Sequence, residues 1–173
     1  MVEIMEGIEL DFEDTQKDKF LTFSVETENY GLDIKHVTEI IGIQGITQIP
    51  HQPIYIKGVI NLRGKIIPTM DIRLRFSKEE RSYDDRTCII VLNIDDIDVG
   101  IVVDRVLEVL NIEEKFISAP PKFVDDSKNK FIKGIGKLDD HVVILLDSGT
   151  LLTDAQYEDL NTLDLDQQVN VMT

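Results

Sequence analysis

The chain has 173 residues, 42% of them apolar, which suffices for one ordinary domain or two small ones sharing a core. A single cysteine, Cys88, excludes an internal disulfide and any multi-cysteine metal or redox motif, and His36, His51 and His141 lack metal-ligand spacing. A net charge of −15 argues against nucleic acid and anionic membrane surfaces, whose recognition needs clustered Lys and Arg, and leaves a small molecule or another protein as partner.

The acidity is uneven. Residues 1–19, 20–153 and 154–173 each carry a net −5, so the two short ends are far more acidic per residue than the middle. Residues 1–17 form an acidic N-terminal extension without the basic end and apolar centre of a signal peptide. The longest apolar runs, Cys88 to Leu92 and Val142 to Leu146, are far too short to span a bilayer. The expectation is a cytoplasmic chain with a folded region over 18–153 and no direct membrane insertion.

Taken in chain order, the middle reads as β structure. Lys19 to Val25 alternates, with Leu21, Phe23 and Val25 on one face and Thr22 and Ser24 on the other. Glu26 to Asn29 turns the chain and Tyr30 to Ile34 returns it. Lys35 to Gly42 is expected to be a short helix, with Val37, Ile40 and Ile41 at helical spacing. Gly58 to Arg63, the Gly64-Lys65 turn, and Ile66 to Asp71 predict a hairpin, and Pro68 makes its second strand an edge strand or ends it there. Ser77 to Arg86 is polar and reads as a linker between two halves, about 19–76 and 87–150. Thr87 to Ile94 and Ile97 to Val103 form a β-branched hairpin around Asp95-Asp96. Asp104 to Leu110 predicts a second short helix. Ile132 to Leu138 and His141 to Asp147 form the last hairpin. A C-terminal helix follows, capped by Thr153 with Gln156 at its third position, within an acidic segment over 154–173. Residues 1–17 and 165–173 are expected to be mobile.

These segments repeat. A shift of 69 residues lays Leu21, Phe23 and Val25 on Ile90, Leu92 and Ile94, Gly31 on Gly100, Val37 on Val106 and Glu39 on Glu108. A shift of 76 then lays Ile56-Lys57-Gly58 on Ile132-Lys133-Gly134 and Asp71 on Asp147, the difference being absorbed near Pro120-Pro121. Each half is too small to be stable alone. The expected fold is therefore mainly all-β: two small barrels, one per half, each of four or five strands, packed on each other.

No constellation supports an enzyme. Cys88 lies inside an apolar strand and reads as a buried small hydrophobe. The Asp-Asp pairs at 84–85, 95–96, 125–126 and 139–140 fall at turns, where Asp belongs. Asn93 to Gly100 puts Ile97 where a calcium loop needs a ligand. Gly134 and Gly136 precede a strand rather than a helix, so they signal a bulge or close packing instead of a phosphate loop. Two features stand out. Arg63 in an apolar hairpin needs a carboxylate, and Glu39 is the nearest candidate for a bidentate pair. In the second copy the acid persists as Glu108, but Asp139 stands where Arg63 stands in the first. Val37, Ile40 and Ile41 match Val106, Val109 and Leu110; one face of each set must cover its barrel, and the remainder fit a groove between the halves, ready for an amphipathic helix of a partner.

The phrase IKGVINLRGKIIPTMDIR, Ile56 to Arg73, resembles the signature of the CheW coupling-protein family of bacterial chemotaxis. Tyr30 to Ile41 and Val99 to Leu110 are similar to that family too. The resemblance implies two packed SH3-like five-stranded β-barrels and a non-catalytic adaptor without cofactor or metal. Such adaptors bridge methyl-accepting chemotaxis receptors and the regulatory domain of the histidine kinase CheA, in arrays beneath the inner membrane. It further implies receptor contact in the groove near Val37, Glu39, Ile40, Arg63, Val106 and Val109, with Gly58 and Gly64 shaping the hairpin that carries Arg63. The kinase would meet a barrel end, with no residues assigned. A coupling module of a CheV-like protein and a small-molecule-binding β-barrel are the alternatives.

Overall fold

The computed structural model describes residues 16–122 and 130–152. Eleven strands are present among them: β1 (Lys19–Val25), β2 (Glu28–Asp33), β3 (Val37–Gly42), β4 (Ile56–Leu62), β5 (Lys65–Asp71), β6 (Cys88–Ile94), β7 (Ile97–Val103), β8 (Arg105–Asn111), β9 (Ile117–Ser118), β10 (Ile132–Lys137) and β11 (Val142–Leu146). One turn of helix, α1 (Ile72–Arg75), follows β5. The mainly β reading holds, and every expected hairpin is present.

The two expected short helices are strands instead. Only Ile34–His36 coils, as a 3-10 turn, before β3 lies antiparallel on β6. Asp104 to Leu110 runs as β8 on β1. The helical spacing was produced by a β-bulge. The ladder slips between Val37 and Glu39, so Val37 and Ile40, three apart, face the same side of a strand. The pairing of β8 with β1 slips at the equivalent place, which does the same for Val106 and Val109. Val37, Thr38, Ile40 and Ile41 are β-branched, and a full ladder on β6 suits them better than a helix.

The sheets are two, ordered β8-β1-β2-β11-β10-β9 and β3-β6-β7-β5-β4. Two packed β subdomains are present as expected, but they do not follow the two halves, which corrects the expectation of one barrel per half. Both sheets mix the halves: β8 crosses to β1, and β3 crosses to β6. The exchange obeys the sequence repeat. Leu21 faces Val109 and Phe23 faces Val106, while Ile90 faces Ile40 and Leu92 faces Val37. Parallel pairing joins Leu32 to Leu146 in one sheet and Ile101 to Met70 in the other. Each of these correspondences follows the 69- or 76-residue shift.

Among the described residues, three apolar clusters are present. One lies within the five-stranded sheet, around Ile60, Ile67, Ile89, Val91 and Val102. Another lies within the six-stranded sheet, around Phe20, Ile112, Val143 and Leu145. The largest is shared between the sheets and takes Leu21, Phe23, Leu32, Met70, Ile90, Leu92 and Ile101. Strands β1 and β6 are covered on both faces, so even Thr22 is buried, its hydroxyl donating to Glu108 O at 2.6 Å. The repeated Gly31 and Gly100 are matched openings: a Cβ would lie 2.9 Å from Leu145 Cδ2 at one and 2.8 Å from Ile89 Cγ2 at the other.

Other details also differ from expectation. Strand β5 is interior, between β7 and β4, and Pro68 is accommodated because pairing with β7 begins only at Thr69. The stretch 77–86 is pinned down: Tyr83 packs on the five-stranded cluster, and its hydroxyl donates to Asp71 Oδ2 at 2.7 Å. Cys88 is half-buried, not fully so. The repeated Asp71 and Asp147 are helix caps. Asp71 Oδ1 accepts from Arg73 N at 2.9 Å, and Asp147 Oδ1 accepts from Thr150 N at 3.1 Å. Helix therefore begins at Ser148, ahead of the expected Thr153 cap. The expectations for residues 1–15, for Asp125-Asp126 and for Thr153 onward lie outside the described residues.

Candidate functional site

Strands β3 and β4 are the two outer strands of the five-stranded sheet, and sheet curvature brings them together. The chain leaving β3 turns back, and Thr47 bridges Val59 of β4 through two backbone hydrogen bonds of 2.9 Å. Gly58 makes this approach possible. Its φ is +145°, and a Cβ there would sit 2.0 Å from Thr47 O. Gly58 thus serves the closure of the sheet as well as a bulge in the hairpin.

The tip of that hairpin is a two-residue turn with Arg63 at φ 51° and Gly64 at φ 85°, the primed geometry that fits twisted strands. Gly64 N donates to Asn61 Oδ1 at 2.8 Å. The turn aims Arg63 at Glu39 on β3. Arg63 Nη1 donates to Glu39 Oε2 at 3.3 Å, and Nη2 donates to Oε1. The bidentate pair expected from sequence is formed, between a turn and a strand. Arg63 is well exposed, 71% of its side chain being accessible. Its contribution is therefore orientation of the two sheet edges more than stability. The second copy has no counterpart, because Asp139 occupies the equivalent turn and Glu108 the equivalent strand position, both exposed.

Val37 and Ile40 on β3, and Val106 and Val109 on β8, are half-buried and lean on the shared core. Their neighbours Ile41 and Leu110 point the other way, into the separate clusters of their own sheets. The apolar excess is thus sorted: alternate residues fill the sheets, and the remaining four flank the junction between them from two outer strands. Of the eight candidate residues, Glu39, Arg63, Gly58 and Gly64 belong to one closure. The other four are distributed symmetrically over β3 and β8.

Sequence reasoning missed a second polar assembly. Arg73 on α1 is only 8% exposed. Its Nε and Nη2 donate to Asp104 Oδ1 and Oδ2, both at 2.7 Å, and its Nη1 donates to Glu26 Oε1 at 3.2 Å. Asp104 Oδ2 also accepts from Glu26 N at 2.8 Å. A signal was available: the 69-residue shift lays Lys35 on Asp104, a charge reversal of the same kind as Arg63 and Asp139.

Burial pulls the Asp104 carboxyl upward, but the Arg73 fork and the Glu26 amide outweigh it and hold the group below the ordinary 3.8. A depressed folded-state value means that the stabilisation is complete above the ordinary value and is lost as pH falls through the lower one. Urea midpoints measured from neutrality to about pH 3 are expected to fall steeply in the acid limb for the wild type, and less steeply for Asp104→Asn. Parallel acid limbs would remove Asp104 from this account.

The other candidates are ordinary. Asp95 and Asp96 form the β6–β7 turn at φ 51° and 65°. Asp98 is bonded to Lys65 and to Asn93 Nδ2. Gly134 accommodates a bulge in β10 and would crowd Ile117 with any side chain. Among the described residues, no helix is long and apolar enough to cross a membrane.

Residues 19–156 match the family model described as the CheW-like domain. The chain is 41% identical over 140 residues to the chemotaxis protein CheW of Klebsiella aerogenes, covering 81% of this chain and 84% of that protein. It is 35% identical over 129 residues to the CheW of Thermotoga maritima, covering 73% and 82% respectively. The crystal structure of the scaffolding protein TtCheW from Thermoanaerobacter tengcongensis superimposes with a TM-score of 0.72 at 40% identity, covering 78% of this chain and 92% of that one.

Proposed function

This chain belongs to the CheW family, and from that premise we propose how its surfaces divide the work of a chemotaxis adaptor. It couples methyl-accepting chemotaxis receptors to the regulatory domain of the histidine kinase CheA, and it does so without catalysis, in cytoplasmic arrays at the membrane. The receptor tip docks along the outer strands β3 and β8, against Val37, Ile40, Val106 and Val109. Glu39 and Arg63, set by Gly58 and Gly64, fix the polar border of that surface. The carrying observation is the pair of half-buried apolar sets on two equivalent outer strands, each leaning on one shared core.

Such a surface suits an amphipathic helix, which offers apolar residues at matching spacing. Contacts of modest area are individually weak, and a repeated array makes them firm. The symmetry of the fold combined with asymmetric charge gives two related but distinguishable faces. That supports two different partners on one small protein. The kinase takes a barrel end away from the Glu39–Arg63 closure.

Val109→Asp places an unpaired carboxylate in the apolar surface and is expected to weaken capture of a receptor-tip fragment by tenfold or more, about 1.4 kcal/mol, while sparing capture of the CheA regulatory domain. Arg63→Ala should weaken receptor capture alone, to a smaller degree. Parallel pull-downs with variants shown to be folded by circular dichroism test this. Undiminished receptor capture by Val109→Asp, or equal loss of both partners, would move the receptor to another face.

A further inference from the structure

Among the described residues, the backbone passes between the two sheets at two places. Ile34–His36 carries it from β2 in the six-stranded sheet to β3 in the five-stranded one. Asp104 alone carries it back, from Val103 at the end of β7 to Arg105 at the start of β8. The repeat makes the two corners equivalent, Lys35 in one matching Asp104 in the other. Each corner leads directly into an outer strand with two of the four candidate apolar residues.

The corners are held very differently. At the first, Lys35 is 59% exposed; among the described residues its ammonium pairs with Asp33 alone, at 3.7 Å, and its backbone N donates to Asp33 Oδ1 at 3.1 Å, a cap local to the corner. At the second, both Asp104 carboxylate oxygens are taken by the buried Arg73. Arg81 Nη1 approaches Asp104 to 3.7 Å, and Glu26, which also meets Arg73, is paired with Lys78 at 3.3 Å. Arg73 Nη1 further donates to the carbonyl of Glu79, at 3.3 Å. The guanidinium therefore ties together α1, the β1–β2 turn, the 77–86 stretch and the one-residue corner. At the equivalent of Arg73 in the second copy stands Gly149, so this fastening exists once.

We propose that Arg73 and Asp104 are positioning residues: their forked ion pair locks the β7–β8 corner and so fixes where β8 presents Val106 and Val109. The β2–β3 corner has no such lock. A planar fork fixes both distance and angle, which a single ammonium cannot do. The proposal rests on the receptor-face reading given above for its functional consequence, but not for its structural part.

Arg73→Lys keeps the charge and removes the fork; Asp104→Asn keeps the shape and removes the charge. Amide hydrogen exchange of the full chain is read first. The amides joining β8 to β1 should exchange about tenfold faster in either variant, with those joining β3 to β6 much less affected. Unchanged β8 exchange, or an equal rise in both strands, would overturn the lock. Capture of a receptor-tip fragment is read next, beside Val109→Asp. Loss of binding by both Arg73→Lys and Val109→Asp supports the full proposal. Loss by Val109→Asp with none by Arg73→Lys overturns the positioning role. No loss by Val109→Asp overturns the receptor-face reading, and hydrogen exchange still decides the lock.

Discussion

Gly58→Ala is expected to lower the urea midpoint more than any other single-methyl addition to the β4–β5 hairpin. The added Cβ would stand 2.0 Å from Thr47 O and 2.7 Å from Thr47 C, both of them backbone atoms that cannot rotate away. Strain at φ +145° adds to the collision. Such backbone strain costs about 1–3 kcal/mol, and forced overpacking costs a similar amount. Relief would require the Thr47–Val59 bridge to part. The edges of the five-stranded sheet would then separate, and Arg63 would lose its approach to Glu39. Gly64→Ala is the internal control. Its φ of +85° is strained for alanine, but nothing lies within 4 Å of the added atom, so its cost is limited to about 1–2 kcal/mol. Equal midpoints for the two variants would show that closeness to Thr47 does not matter.

The second large effect is expected at Arg73. Arg73→Met leaves Asp104, whose side chain is 13% exposed, as a nearly buried carboxylate without its guanidinium. Breaking one side of a buried pair typically costs about 3–5 kcal/mol, a large share of a total stability of about 5–15 kcal/mol. Replacing both partners behaves differently, because no charge is then stranded. Arg73→Met with Asp104→Leu should recover much of the loss. A double-mutant cycle from denaturant unfolding measures the coupling. Simple additivity of the two single substitutions would mean that the fork contributes no more than its surroundings.

The sequence repeat was legible because it is carried by residues with local reasons to persist. Gly31 and Gly100 open equivalent spaces, and Asp71 and Asp147 cap equivalent helical turns. Arg63 could be paired with Glu39 because an apolar hairpin leaves a guanidinium few other partners, and the pair is present. The helical reading of Val37, Ile40 and Ile41 failed for a definite reason. A bulge inserts one residue into a period of two, and apolar spacing then imitates a helix over a single turn. Arg73 has no such local cue, because its acceptor Asp104 lies 31 residues away, at the corner between the sheets.

Alternation, turn chemistry and repeat register are properties of neighbouring residues, and they alone determined that this chain is β-rich and twofold in plan. The exchange of the β1–β2 and β6–β7 hairpins between the halves was decided only in three dimensions. Either half offers the same kind of open strand edge, and nothing in local pattern says which edge a strand will meet. Burying Leu21, Phe23, Ile90 and Leu92 in one common core settles it. That core gathers apolar residues from both halves, and area removed from water is the dominant favourable term in folding.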